Sequence, residues 1–307
     1  MHLRESRTGL LYGIGAYGFW GLVPLYFRAV KDVRPEELLA HRVVWSTVLL
    51  AAILSVTRRW GSLYTCLIVP RIRWTLLLTT VLIAANWYCY IWAATHDQLV
   101  QASLGYFIAP LASAGLGVFA LRERLRRAQL LALILAAIGV IVATVQAGTL
   151  PWIALGLAGS FSVYGLLRKT VAADALTGLA AESLLLTPFA AGYLILALMD
   201  GTAAFGHIDR TTDILLLAAS VVTVVPLYCF AQAARRLRLT TIGFLQYLSP
   251  TGQLLLAVFL FGEPFQIERL YGFIPIWAAL AVYSYDAMTA YRRLKKPEPA
   301  VEPVAFE

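Results

Sequence analysis

The sequence contains few charged residues: only 14% of its 307 residues are Asp, Glu, Lys or Arg. A soluble domain needs polar and charged side chains on its surface, so this composition leaves no room for a separate soluble domain of useful size. The remainder is strongly apolar, with 60% hydrophobic residues and a mean hydropathy of +0.74. The composition therefore indicates a protein that lies mostly within a lipid bilayer.

Residues that bind metals or act as nucleophiles are also scarce. The three cysteines form no CxxC pair, which excludes a disulfide framework and argues against a cysteine metal site. The four histidines lie in four separate segments, and neither an HExxH motif nor a GxxxxGKS/T phosphate loop occurs. The sequence therefore predicts no metal, no cofactor and no use of ATP. It also argues against an intramembrane enzyme, which remains an alternative.

Long apolar stretches fill the chain instead. About 20 apolar residues cross the hydrocarbon core of a bilayer as a helix, and ten stretches of that length are present. The first lacks a small-residue cleavage site, so we expect a transmembrane helix rather than a signal peptide. The ten stretches lie near 9–29, 36–57, 74–95, 98–121, 127–147, 150–167, 175–198, 211–234, 240–261 and 267–289. We predict an all-α, polytopic membrane protein with ten transmembrane helices, followed by a disordered cytoplasmic tail over 291–307.

The basic residues indicate the orientation of these helices. With the N-terminus in the cytoplasm, most of the 25 Lys and Arg residues fall in cytoplasmic segments, as the positive-inside rule requires. The outer connections then hold only Lys31, Arg34, Arg210 and Arg269. We therefore predict that both termini are cytoplasmic. Because the basic residues are spread over many connections, the partner they indicate is the lipid bilayer and not a nucleic acid.

The chain also contains an internal repeat. Residues 86–124 align without a gap with residues 226–264, and the matched positions include Pro110 with Pro250 and Glu123 with Glu263. Five helices in each half require the second copy to enter the membrane upside down. We therefore predict two inverted five-helix repeats, 1–147 and 148–290. Secondary transporters are built in this way, with a substrate site between the halves, although channels also contain inverted repeats.

Polar side chains within the apolar stretches are the candidates for a substrate pathway, because such groups usually face a bundle interior or a wet cavity. Arg42 would attract an anionic group or bind a polar one, unless its side chain reaches back to the interface. Glu182 would balance charge or carry a proton, unless its role is structural. The pathway candidates are His41, Arg42, Asn86, Tyr88, Tyr106, Glu182, Gln246 and Tyr247. Pro110 and Pro250 are candidate hinges or simple packing kinks.

Several short runs resemble a known family. They include Asn86-Trp87, Ala102-Ser103-Leu104-Gly105-Tyr106-Phe107-Ile108, Glu123-Arg124-Leu125, Ala40-His41-Arg42 and Leu245-Gln246-Tyr247-Leu248. Over nearly the whole chain the sequence resembles RarD-type permeases of the drug/metabolite transporter superfamily, which are built of EamA domains. An acidic residue is common in that family at the position of Gln101, which leaves Glu182 as the mid-helix carboxylate here.

The resemblance implies a multi-pass protein of the bacterial inner (plasma) membrane that moves small organic solutes, such as metabolites or drugs, often by efflux. Together with the repeat, it predicts a permease that works by alternating access, with protons as a candidate coupling ion. The alternatives from other classes are an intramembrane enzyme, a passive channel and a lipid scramblase.

Overall fold

The computed structural model describes residues 2–95, 99–148, 152–262 and 267–295. Within these ranges the chain forms twelve α-helices and one π-helix, and no strand. The helices are α1 (His2–Ala29), α2 (Pro35–Thr57), α3 (Trp60–Ile68), α4 (Pro70–Thr95), α5 (Leu99–Phe119), α6 (Arg127–Ala147), α7 (Trp152–Thr170), α8 (Ala175–Met199), α9 (Arg210–Arg236), α10 (Leu239–Gln246), α11 (Leu248–Leu255), the π-helix Leu256–Leu260 and α12 (Ile267–Lys295).

The described helices have the length and composition of membrane spans. Six helical segments are long and apolar enough to cross a bilayer, and the bent pair of α3 and α4 makes a possible seventh. Large apolar side chains are exposed on the outside of the bundle, for example Leu11 on α1, Ile141 on α6 and Phe189 on α8. A surface of this kind is stable against lipid tails and not against water. The prediction of an all-α, polytopic membrane protein is confirmed.

Two segments differ from the sequence prediction. The connection 58–73 was expected to be a loop, but it contains α3, which meets α4 at 92°. Pro70 begins α4, and its ring prevents α3 from continuing straight on. The stretch near 240–261 is not one regular helix, because α10 ends at Gln246 and α11 begins at Leu248. Pro250 has no backbone N–H to offer the carbonyl of Gln246.

The connections gather at two ends of the bundle. At one end, which we call the basic end, Arg59 lies 3.6 Å from Asp174, Arg126 lies 2.5 Å from Asp286, and Arg238 donates to the carbonyl of Arg124. At the other end, the opposite end, Arg34 donates to Thr202 at 3.0 Å and Glu37 accepts from the backbone N–H of Ala204 at 2.6 Å. α12 continues to Lys295, and the rest of the predicted tail, 296–307, lies outside the described residues.

Close backbone contacts hold the helices together. α1 packs against α9, α2 against α8, α6 against α12, and α5 against both α7 and α10. A Cβ atom at Gly139 would lie 2.6 Å from the carbonyl oxygen of Gly272, and one at Gly243 would lie 2.5 Å from that of Pro110. Glycine at these positions lets α6 reach α12 and α10 reach α5, which is how helices commonly associate in lipid.

Asp174 caps α8 at the basic end, outside the membrane-spanning segments. Its carboxylate accepts from the backbone N–H groups of Leu176 and Thr177 and from the Thr177 hydroxyl. Partial burial works to raise the pKa of Asp174, but these hydrogen bonds, together with Arg59, outweigh it and lower the pKa. The charged carboxylate therefore stabilises the fold fully above the ordinary aspartate pKa of about 3.9. That stabilisation is lost as pH falls through the lower folded-state pKa.

We predict that Asp174→Ala lowers the free energy of unfolding by about 1 kcal/mol, because α8 loses its N-cap. Asp174→Asn keeps an acceptor and costs less at pH 7, and its stability changes less below about pH 4 because it has no proton to bind. Unfolding in detergent over a pH series measures both effects. An unchanged stability of Asp174→Ala, or equal acid sensitivity of the wild type and Asp174→Asn, would contradict this account.

Candidate functional site

A cavity of about 410 Å³ lies inside the bundle. It extends from the junction of α10 and α11 to the α1–α2 turn, where Lys31 and Val33 line it at the opposite end. Small-molecule sites typically have volumes of about 300–1,000 Å³. Four of the eight predicted pathway residues line this cavity, namely Arg42, Asn86, Tyr106 and Gln246. The structure thus brings together side chains from α2, α4, α5 and α10.

Arg42 is fixed in the cavity wall by contacts with three other helices. Its Nε donates to the hydroxyl of Thr223 at 2.9 Å, and the Thr223 hydroxyl in turn donates to the carbonyl of Ala219. The guanidinium lies 5.1 Å from the ring centre of Trp87 and 6.0 Å from that of Phe27. A cation above an aromatic face is attracted by it, so the position of the charge is well defined.

Aromatic rings form much of the remaining wall. Tyr90 and Tyr106 meet edge to face at 6.3 Å, and Trp20 and Phe161 do so at 5.8 Å. Asn86 donates to the carbonyl of Leu157 at 2.8 Å and to the hydroxyl of Ser160 at 2.9 Å, so α7 fixes its orientation. The cavity therefore suits a partly apolar solute with a polar group directed at Arg42.

Hydrogen-bonded polar side chains form the floor of the cavity toward the basic end. Gln246 donates to the hydroxyl of Ser113 at 2.9 Å, and Ser113 lies 3.1 Å from the hydroxyl of Ser162. Ser162 also donates to the carbonyl of Ala109 at 3.1 Å. These hydrogen bonds join α10, α5 and α7 on the side of the large cavity that faces the basic end.

Nearer the basic end, Glu123 closes the bundle. Its two carboxylate oxygens accept from the backbone N–H groups of Leu239 and Thr240, at 2.7 and 3.0 Å, and from the Thr240 hydroxyl at 2.8 Å. The carboxylate thus satisfies the free N–H groups at the start of α10, where the helix dipole also favours a negative charge. The sequence repeat singled out Glu123, but its partner was not predicted.

Glu182 belongs to a buried ion pair that the sequence did not reveal. Its carboxylate lies 3.5 Å from Arg168 and accepts from Thr79 at 2.6 Å and Tyr164 at 3.2 Å. Arg168 was expected in a cytoplasmic connection, but only 1% of its side chain is exposed. α7 extends past it to Thr170, and Gly178 on α8 leaves room for the guanidinium. No hydropathy pattern marks this pair, because its members lie on different helices.

A water-sized cavity of about 10 Å³ separates Glu182 from the large cavity. The two cavities share the wall residues Ile83, Trp87, Thr223 and Leu227. Glu182 is therefore one thin wall away from Arg42, and each has its own partner, Arg168 for Glu182 and Thr223 for Arg42. The small cavity has room for about one water beside Glu182.

The remaining predicted residues lie outside the large cavity. His41 is buried near Glu37 and accepts from the indole N–H of Trp45 at 3.1 Å. Tyr88 is 65% exposed on the outer surface. Tyr247 is buried at the α10–α11 junction, and its hydroxyl donates to the carbonyl of Phe107 at 3.3 Å. Pro110 lies within α5 and Pro250 within α11, next to that junction.

Sequence reasoning missed Thr223 and Gln253 as cavity residues. Thr223 holds Arg42 in place, and Gln253 donates to the carbonyl of Trp20 at 3.3 Å. Neither residue belongs to a motif, and single polar residues on apolar helices are common, so the sequence contained no signal for them. Glu123 had such a signal, since an acid is kept at the same place in both repeats.

Comparison with known proteins adds a second line of evidence. The EamA-like transporter family matches residues 7–145. Protein RarD of Escherichia coli K12 is 44% identical over 96% of this chain and 100% of its own length. The chain belongs to the RarD family of EamA-like transporters.

Other members of the RarD family and one solved structure agree with this assignment. An uncharacterized transporter of Vibrio cholerae is 44% identical over 94% of this chain and 95% of its own. Protein RarD of Streptomyces exfoliatus is 43% identical over 98% and 96%. A solved crystal structure superposes with a TM-score of 0.71 over 94% of this chain and 99% of the other, at 19% identity, which shows the fold alone. The protein is therefore a multi-pass membrane transporter, and the family resemblance is confirmed.

We predict that Arg168→Met lowers the stability of this RarD-family protein by about 3–5 kcal/mol, because Glu182 is left as an unpaired buried charge. The double variant Arg168→Met, Glu182→Leu removes both charges and is expected to recover most of that loss. Thermal unfolding in detergent measures both variants. A single variant as stable as the wild type, or a double variant as unstable as the single one, would contradict the role of the pair.

Proposed function

We propose that this chain is a bacterial inner-membrane permease that moves small organic solutes by alternating access, in the direction of efflux. The observation that supports this function is the cavity of about 410 Å³, which extends to the opposite end and is floored toward the basic end. The positive-inside rule assigns the basic end to the cytoplasm, with both termini. The present conformation then faces outward.

The proposal includes ten spans in two inverted repeats, 1–147 and 148–290. Two contacts support it, because residues related by a twofold axis can meet each other only near that axis. The hydroxyls of Thr47 and Thr187 lie 2.7 Å apart, and Tyr247 donates to the carbonyl of Phe107. In each pair the two residues are 140 positions apart, which is the offset that aligns the repeats.

Glu123 would act as a latch in this cycle. In the repeat alignment Glu263 corresponds to Glu123. The first two residues of α5, Leu99 and Val100, correspond to Leu239 and Thr240, which are the first two residues of α10. Glu263 itself lies outside the described residues. We propose that Glu123 releases α10 when the opposite end closes. Pro110 and Pro250 would act as hinges in this exchange, since each removes a backbone hydrogen bond from its helix.

The cavity residues take separate roles in the proposed cycle. Arg42 binds the polar group of the solute, while Asn86, Tyr106 and Gln246 orient its body. Glu182 carries a proton or balances charge, reached through the water-sized cavity. Tyr247 supports Gln246 from the α10–α11 junction. His41 and Tyr88 remain pathway candidates only for another conformation, because neither borders the cavity in this one.

Counterflow in proteoliposomes tests the function. Liposomes are loaded with one unlabelled compound from a panel of amino acids, nucleosides, aromatic metabolites and chloramphenicol, and uptake of its labelled form is followed. A carrier working by alternating access is expected to accelerate uptake when the same compound is present inside. Equal uptake with and without internal compound would favour a channel, and recovery of an altered compound would favour an enzyme.

A labelling experiment tests the latch. Ala109→Cys places a thiol in the cavity wall, with the three native cysteines replaced by alanine, and a membrane-impermeant maleimide is applied to inside-out vesicles. We expect Glu123→Gln to raise the labelling rate several-fold, because one lost charge-assisted bond of about 1.5 kcal/mol shifts a two-state equilibrium roughly tenfold.

Arg126→Gln is the matched control for the latch, because it breaks the ion pair with Asp286 at the same end without contacting α10. It is expected to leave the labelling rate unchanged. If both variants raise the rate equally, or if Glu123→Gln has no effect, Glu123 is not the latch.

A further inference from the structure

The wall of the large cavity is electropositive. Among the residues that line it, all of them within the described part of the chain, Lys31 and Arg42 carry positive charges and none is acidic. Lys31 lies at the mouth, in the exposed α1–α2 turn, whereas Arg42 lies deep in the bundle and is half-buried. The charge that a solute meets at the inner part of the cavity is therefore that of Arg42.

The guanidinium of Arg42 is oriented but not neutralised. The Nε–H of Arg42 donates to the Thr223 hydroxyl, and the face of the guanidinium lies near the rings of Trp87 and Phe27. Its two terminal nitrogens have no hydrogen-bond partner among the described residues. A guanidinium with one edge fixed and the other free presents two parallel N–H groups, the geometry that matches a carboxylate.

The nearby acid cannot serve as the counter-ion. Glu182 occupies the position in the second repeat that Arg42 occupies in the first, 140 residues earlier. It is already paired with Arg168, and it lies behind the wall that contains Trp87 and Thr223. Among the described residues that line the two cavities, Arg42 is thus the one deeply placed charge without a counter-ion. Burying such a charge is costly unless a partner of opposite sign occupies the cavity.

We infer that the solute is a small organic monoanion, with a carboxylate that binds the free edge of Arg42 and an apolar, planar body that packs against the aromatic wall. One guanidinium balances one negative charge, which disfavours dianions. Trp20, Tyr90, Tyr106 and Phe161 supply flat apolar surfaces for the body. This inference rests on the proposed function, since it assumes that the transported solute occupies this cavity.

Matched acids and amides test the inference, because the members of each pair differ mainly in charge. The purified protein in detergent is heated with benzoate or benzamide, 3-phenylpropionate or its amide, and indole-3-acetate or its amide, with 2-phenylethylammonium as the cation. A ligand that binds the folded but not the unfolded protein raises the unfolding midpoint, and at equal concentration the tighter ligand raises it more. We expect at least one acid to raise the midpoint more than its amide and more than the cation.

Variants assign the preference to Arg42. Arg42→Gln is expected to weaken acid binding at least about tenfold and to leave the amide unaffected. Thr223→Val keeps the charge but frees Nε, so it provides a milder second variant, expected to weaken acid binding several-fold. Arg28→Gln is the control, since Arg28 lies over Phe261 at 4.4 Å and does not line the cavity.

The possible outcomes separate the inference from the proposed function. If no acid exceeds its amide, or if the preference for acids survives in Arg42→Gln, the inference is overturned. Counterflow of a neutral or cationic compound that is insensitive to Arg42→Gln would support the proposed transport function and overturn the inference that the solute is an anion. An acid preference that depends on Arg42 without any counterflow would support the binding site and count against the transport cycle.

Discussion

The low dielectric of the bundle interior is the constraint on which the structure depends, because every charge buried there needs a partner supplied by the protein or by a solute. Glu37 has the backbone N–H of Ala204, Glu182 has Arg168 with Thr79, and Glu123 has the start of α10. Apart from Glu182 with Arg168, which lie on consecutive helices, these pairings join segments that are distant in the chain. The few charges of the bundle therefore determine which helices meet, and Arg42 is the one among these groups whose partner is missing.

Uncharged polar groups meet the same constraint locally. Thr75, Thr80 and Thr144 each donate to the carbonyl four residues earlier in their own helix, so their hydroxyls need no distant partner. This arrangement is common for Ser and Thr in apolar helices. It explains how the chain can contain many hydroxyls without their dictating the packing. The polar residues that matter for the site are those whose bonds leave their own helix, such as Asn86 and Gln246.

The sequence predicts the helices well and the contacts between them poorly. Apolar length predicts the long apolar helices, six of which have the length and composition of membrane spans, and the basic connections do gather at one end, because both properties are local. The burial of Arg168 could not be predicted, since it depends on the space left by Gly178 and on an acid from α8. The break between α10 and α11 had a local cause in Pro250, but a proline alone does not fix where a helix ends. Of the residues that line the cavity, Arg42, Asn86, Tyr106 and Gln246 were expected from their polarity, whereas Thr223 lines it because α9 packs beside α2.

The space at Gly178 has a consequence for how this protein tolerates mutation. Adding one methyl group there would place a Cβ atom against the guanidinium of Arg168 and force it away from Glu182. Glycine to alanine is among the mildest exchanges on a chemical scale, and in a helix it normally stabilises. Here it would be severe, while bulky exchanges at lipid-facing positions such as Phe189 would pass unnoticed. Variation in natural populations should therefore follow the distance of a position from the buried charges and not the size of the chemical change.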